Sequence, residues 1–146
     1  MKNPQLDLFK VSDRVFAKYF KTGLEDLAEP ERVFICLWQL EAQVNNGGFH
    51  QFYFNSSGNL VRDTVSSLQA IGAEHTANLV RKANALFGKT GPSSEWSERQ
   101  EQLEALGDSK TRMMDDIEAE FMQYTDKLGQ LLEAYVLKNA AAFSLM

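Results

Sequence analysis

Two adjacent glycines, Gly47 and Gly48, interrupt the chain between its most apolar helical stretch and its densest aromatic cluster. The segment reads Asn45-Asn46-Gly47-Gly48-Phe49-His50-Gln51-Phe52-Tyr53-Phe54-Asn55-Ser56-Ser57-Gly58. Before it, Val33 to Trp38 is apolar nearly all round a helical wheel, and a helix of that kind wants neighbours on several sides. A helix from Pro30 to Val44 is therefore placed at the centre of the fold, with Pro30 in its first turn, where a missing N–H does no harm. After the glycines, Phe49, Phe52 and Tyr53 follow helical spacing. Length and aromatic content also suit a strand, but an isolated strand would leave backbone groups unpaired. The short helix is the reading adopted.

The remaining pattern is helical throughout. A first helix runs from Val11 to Phe20 and stops by Gly23. Ser56 or Ser57 is suited to cap a helix beginning near Gly58, whose buried stripe is Leu60, Val61, Val65, Leu68 and Ile71. Another covers Ala73 to Phe87, with Gly72 and Gly88 as its boundaries. Turn residues fill Gly88 to Ser97, and Ser97 with Gln100 forms a capping-box signal for a short helix to Leu106. Gly107, Asp108 and Ser109 then separate it from a terminal helix, Thr111 to Lys138, roughly 40 Å long. Its stripe is Met114, Ile117, Phe121, Tyr124, Leu128, Leu131 and Tyr135, which a second copy or the monomer's own core would satisfy equally. The expectation is an all-α, compact, multi-helix single domain over residues 1–146 with a long C-terminal helix.

Chemical exclusions come from composition. The single cysteine, Cys36, forms no internal disulfide and sits in an apolar run as a small hydrophobe. One Cys and two His leave zinc short of its usual ligands, and no phosphate loop or dinucleotide fingerprint occurs, so neither metal nor cofactor is expected. A formal charge of −5 disfavours direct nucleic-acid binding and suits a basic protein partner. No apolar run approaches the ~20 residues needed to cross a bilayer, and the first residues lack a secretion signal's apolar core. A cytoplasmic location is expected.

Asn46-Gly47-Gly48-Phe49, then Gln51-Phe52-Tyr53, Asn55 and Gly58, resemble the signature of a bacterial domain-of-unknown-function family, DUF4375. The later run Met114 to Phe121, followed by Leu128, Leu131, Leu132 and Tyr135, is similar to that family's terminal helix, so the resemblance spans Glu29 to Asn139. It implies an all-helical fold without an established activity. One member is a DNA mimic, which implies carboxylates standing where DNA has phosphates and a helix-turn-helix regulator as partner.

Between Glu95 and Asp126 stand ten acids against Arg99, Lys110 and Arg112, a local net charge of −7. Glu98, Glu101 and Glu104 share a side of their short helix, and Asp116 and Glu120 lie one turn apart. These five are the candidate partner-binding residues of a non-enzymatic interaction domain. Asn46, Gly47, Gly48, Phe49, Gln51, Phe52, Asn55 and Gly58 are the structural motif, with the polar side chains expected to tie the turn to neighbouring backbone. No catalytic residue is assigned. The alternative is a small-ligand or catalytic centre near His50, with Glu41 as its proton partner and Phe49, Phe52, Tyr53 and Trp38 lining a pocket.

Overall fold

A computed structural model, describing residues 6–145, places seven α-helices in those residues and no strand. Helix α1 (Leu8–Thr22) starts earlier than expected because the Asp7 carboxylate accepts the N–H groups of Phe9 and Lys10 at 3.0 and 3.4 Å. It stops at Gly23, where φ is +85°. Val11 and Val15 are buried against the core.

Helix α2 (Glu29–Phe54) is the central element and touches α1, α3, α5, α6 and α7. Its start is fixed by Glu31, whose carboxylate accepts the Ala28 N–H and an ion-pair hydrogen bond from Lys18, both at 2.9 Å. Phe34, Ile35, Cys36, Leu40 and Val44 are buried around its circumference, as a helix apolar on all sides requires. Burial pushes the Cys36 thiol up to about 11, which keeps it protonated and inert near neutrality. At Gly47 and Gly48 the backbone leaves helical values, with φ +77° at Gly48, and the chain then resumes as a short helical arm, Phe49–Phe54. The helical reading of that arm is the one observed.

A 3-10 turn (Ser56–Leu60) leads into α3 (Val61–Ala70). Neither serine caps α3; the Ser57 hydroxyl donates instead to the Phe52 carbonyl at 3.0 Å, tying the turn back to the arm. Helix α4 (Glu74–Ala85) buries Ala77, Leu79, Val80 and Ala83. Its amino terminus is capped from far along the chain, where Asp126 accepts both the N–H and the hydroxyl of Thr76 at 2.7 and 2.9 Å. Helix α5 (Trp96–Glu104) is capped by Glu95, which accepts from the Ser97 and Glu98 N–H groups, and so displaces the Ser97–Gln100 capping box.

The single terminal helix is the main correction. It is two helices, α6 (Gly107–Phe121) and α7 (Leu128–Lys138), and Gly107 to Ser109 open α6 rather than separating it from α5. The interruption centres on Tyr124 at φ +50°, whose hydroxyl donates to Glu41 on α2, and on Asp126 capping α4. The break also shifts the buried stripe. Leu128, Leu132 and Val136 are buried in α7, while Leu131 and Tyr135 are only partly covered. Met114 and Phe121 of α6 are buried in the monomer as well, while Met113 of α6 and Leu137 of α7 stay exposed.

Candidate functional site

The Phe49–Phe54 arm is held at both ends by residues from the C-terminal half. At its amino end a Glu118 oxygen accepts the Phe49 N–H at 3.2 Å. A carboxylate there faces the positive end of the arm and satisfies an otherwise orphan donor. A Cβ on Gly48 would collide with that carboxylate, and the positive φ excludes most side chains independently. At the carboxyl end Arg99, fully buried, donates to the carbonyls of Tyr53, Asn55 and Ser93 and to the Asn59 side chain, the last three at 2.8, 3.0 and 2.9 Å. Its acceptors are all neutral oxygens, four around one planar fork. A Cβ on Gly58 would strike this guanidinium, which explains the glycine.

The rest of the motif closes the arm onto the core. Phe49 packs edge-on against Phe121 at 5.7 Å, Phe52 is fully buried, and the Tyr53 hydroxyl donates to Asn84 at 2.6 Å. Gln51 and Asn55 both donate to the side chain of Gln43, at 2.8 and 2.9 Å, bridging the glycine break. For Gln51 and Asn55 the expected ties to neighbouring backbone are side-chain ties across the bend, whereas Asn45 does donate to the Glu41 main-chain carbonyl at 2.7 Å. Asn46 and Gly47 are exposed at the bend itself, where a Cβ on Gly47 would meet Gln51.

Around His50 the geometry does not assemble the proton pair considered above. His50 is exposed and stacks on Phe54 with ring centroids 6.0 Å apart. Glu41 accepts instead from Tyr124 at 3.1 Å, and Asn45 donates to the same phenol oxygen at 2.6 Å. Burial raises the Glu41 pKa above its ordinary value, an effect partly opposed by the Tyr124 hydrogen bond. The aromatic pocket is filled: Phe49, Phe52 and Tyr53 are wholly buried side chains of the core, and Trp38 stacks on Phe34 at 5.3 Å.

The five candidate acids fall into two groups. Glu98 and Glu101 line an open cleft of about 520 Å³ with Arg62, Gln102 and the Thr90–Ser93 loop, and Glu98 also accepts from Ser93 at 2.7 Å. Glu104, at the end of the same helix, is exposed. Asp116 borders a separate apolar depression of about 500 Å³ formed by Leu86, Met113, Ile117 and Lys82, and Glu120 lies 3.5 Å from His75. Three further acids of the charged stretch, Glu95, Glu118 and Asp126, are engaged as helix caps. Sequence reasoning counted them as charge. It also counted Arg99 only as a neutralising charge, because nothing in the local pattern marks it as buried.

Among the described residues, no group of three or more His, Cys, Asp or Glu could hold a metal ion, and no helix is long and apolar enough to cross a membrane. The model of one protein family, described as DMP19-like protein, matches residues 25–139, well over half of the chain. No curated protein and no solved structure matches it.

Proposed function

We propose that this chain, which belongs to the DMP19-like protein family, binds a DNA-binding protein in place of DNA, through Glu98, Glu101, Glu104, Asp116 and Glu120. The partner chemistry that fits is a helix-turn-helix regulator's basic reading face, and the reading is non-enzymatic. The observation that carries it is the state of these carboxylates. Among the described residues the ion pairs are Lys18–Glu31 and His75–Glu120, so Glu98, Glu101, Glu104 and Asp116 are exposed with no Lys, Arg or His nitrogen within 4.0 Å. Exposed acids held on helices create a field that steers a basic surface inward, here set against Arg62 in the cleft of Glu98 and Glu101, Lys82 beside Asp116 and His75 against Glu120. Helical residues four apart, such as Asp116 and Glu120, rise ~6 Å, a spacing near that of successive phosphates on an extended strand.

The test compares wild-type protein with a variant carrying Glu98→Gln, Glu101→Gln, Glu104→Gln, Asp116→Asn and Glu120→Gln. Each is immobilised and exposed to native cell lysate at low and moderate salt. The expected result is a DNA-binding protein retained by wild type alone and released by competing duplex DNA. Retention that neutralisation leaves unchanged refutes this surface. A partner that duplex DNA does not displace refutes mimicry and leaves a basic protein partner of another kind.

A further inference from the structure

Three aromatic side chains of the clamped region are turned outward while their neighbours are wholly buried. Phe54 and Trp96 are 45% and 47% exposed, and His50 is exposed beside them, whereas Phe49, Phe52 and Tyr53 have no accessible surface. Two contacts tie the three to the carboxyl end of the arm, one between rings and one to the main chain. His50 and Phe54 stack, with an interplanar angle of 15°, and the Trp96 indole N–H donates to the Phe54 carbonyl at 2.8 Å. That hydrogen bond fixes the indole against the end of the arm, so the patch is organised before any partner arrives.

We propose that His50, Phe54 and Trp96 form a seat for an arginine side chain of the basic protein partner. This inference rests on the partner reading given above and adds a contact that acid neutralisation alone does not address. Charge selects the occupant. Trp96 follows Glu95 directly and lies within the stretch whose net charge is −7. Glu95 is itself exposed, and Glu98, exposed as well, follows one turn later on α5. The neighbouring cation, Arg99, is buried beneath and already saturated by carbonyl oxygens. An arginine is preferred to a lysine because its planar guanidinium stacks on ring faces, while an ammonium is held more strongly by water.

The test uses fluorescein-labelled nona-arginine and nona-lysine as defined probes, with affinity read by fluorescence anisotropy at fixed salt. Wild type is expected to bind nona-arginine about fivefold more tightly than nona-lysine. Trp96→Ala and Phe54→Ala are each expected to bring that ratio to about one, with little change in nona-lysine affinity. Circular dichroism confirms the fold, and Phe54→Ala carries the test if Trp96→Ala does not fold. A wild-type ratio near one, or a ratio that Phe54→Ala leaves intact, overturns the seat. The five-acid variant separates the two claims: weakened binding of both peptides keeps the acidic surface even if the seat falls, whereas unchanged nona-lysine affinity removes the surface itself.

Discussion

Replacing Arg99 by methionine tests whether the arm is held as described. The substitution keeps an unbranched apolar stem and removes a guanidinium with four acceptors: the carbonyls of Tyr53, Asn55 and Ser93 and the Asn59 side chain. Each acceptor left buried without a donor costs about 1–3 kcal/mol. Against that, the folded state no longer has to strip water from a cation, a penalty of several kcal/mol per buried ion. The balance expected is a loss of about 3–5 kcal/mol, a large share of the ~5–15 kcal/mol that holds a typical domain. Arg99→Lys is expected to lose about 2–3 kcal/mol, because a compact ammonium keeps the charge but cannot span oxygens distributed around a planar fork. Urea unfolding followed by far-UV circular dichroism measures both. With a slope of about 1–3 kcal/mol per molar, the methionine variant's midpoint moves down by roughly 1–5 M. A methionine variant within about 1 kcal/mol of wild type would refute the reasoning, since the carbonyls would then have found other donors or the guanidinium contributed nothing net.

Two other expectations concern the bend and the residues beneath it. Gly48→Ala forces a side chain into φ +77° and against the Glu118 carboxylate, and is expected to cost about 2–4 kcal/mol in urea midpoint analysis. Gly129→Ala, where a Cβ meets nothing within 4 Å in helix α7, is expected to stabilise by about 0.5 kcal/mol, so the two glycines should move in opposite directions. For Glu41, burial raises the folded-state pKa above the ordinary value of 4.5, so the folded protein holds this proton more tightly than the unfolded chain. Stability from this group is therefore greatest below that ordinary value and is lost as pH rises through the raised one. Glu41→Gln should flatten the fall in stability that sets in above about pH 4.5, and an unchanged profile would show that Glu41 carries no such linkage.

What was readable beforehand divides by whether the cause is local. Helix α2 was legible from Val33 to Trp38 because burial on all sides leaves a mark in the residues themselves, and the break at Gly47–Gly48 was legible because glycine is its own signal. The break between α6 and α7 carried no such mark. Met114, Phe121 and Leu128 recur every seven residues straight through it, and Met122 to Lys127 contains neither glycine nor proline. What ends α6 there is tertiary: Tyr124 reaches Glu41 and Asp126 reaches Thr76, contacts spanning 83 and 50 residues. The same limit governs the site. Glu98, Glu101, Glu104 and Asp116 are exposed as expected, but a charge count does not separate them from Glu118, whose value lies in one backbone N–H 69 residues away. Arg99 is the sharper case, since its helix is otherwise so polar that a buried cation leaves no periodicity to read.

The double clamp on the arm also orders events in time. Phe49–Phe54 is made early in synthesis, yet the group that holds its amino end arrives 69 residues later, and the one that holds its carboxyl end follows Tyr53 by 46. Until then the short helix has only about a turn and a half of its own hydrogen bonding, too little to persist alone in water. Tyr53 can meet Asn84 and Phe87 as soon as α4 is made, but both ends of the arm stay unheld until α5 and α6 emerge, so closing the loop from Gly48 to Glu118 belongs to the late, slow part of folding. Once closed, the two halves of the chain melt together, because releasing either C-terminal helix frees the end of the arm that it grips.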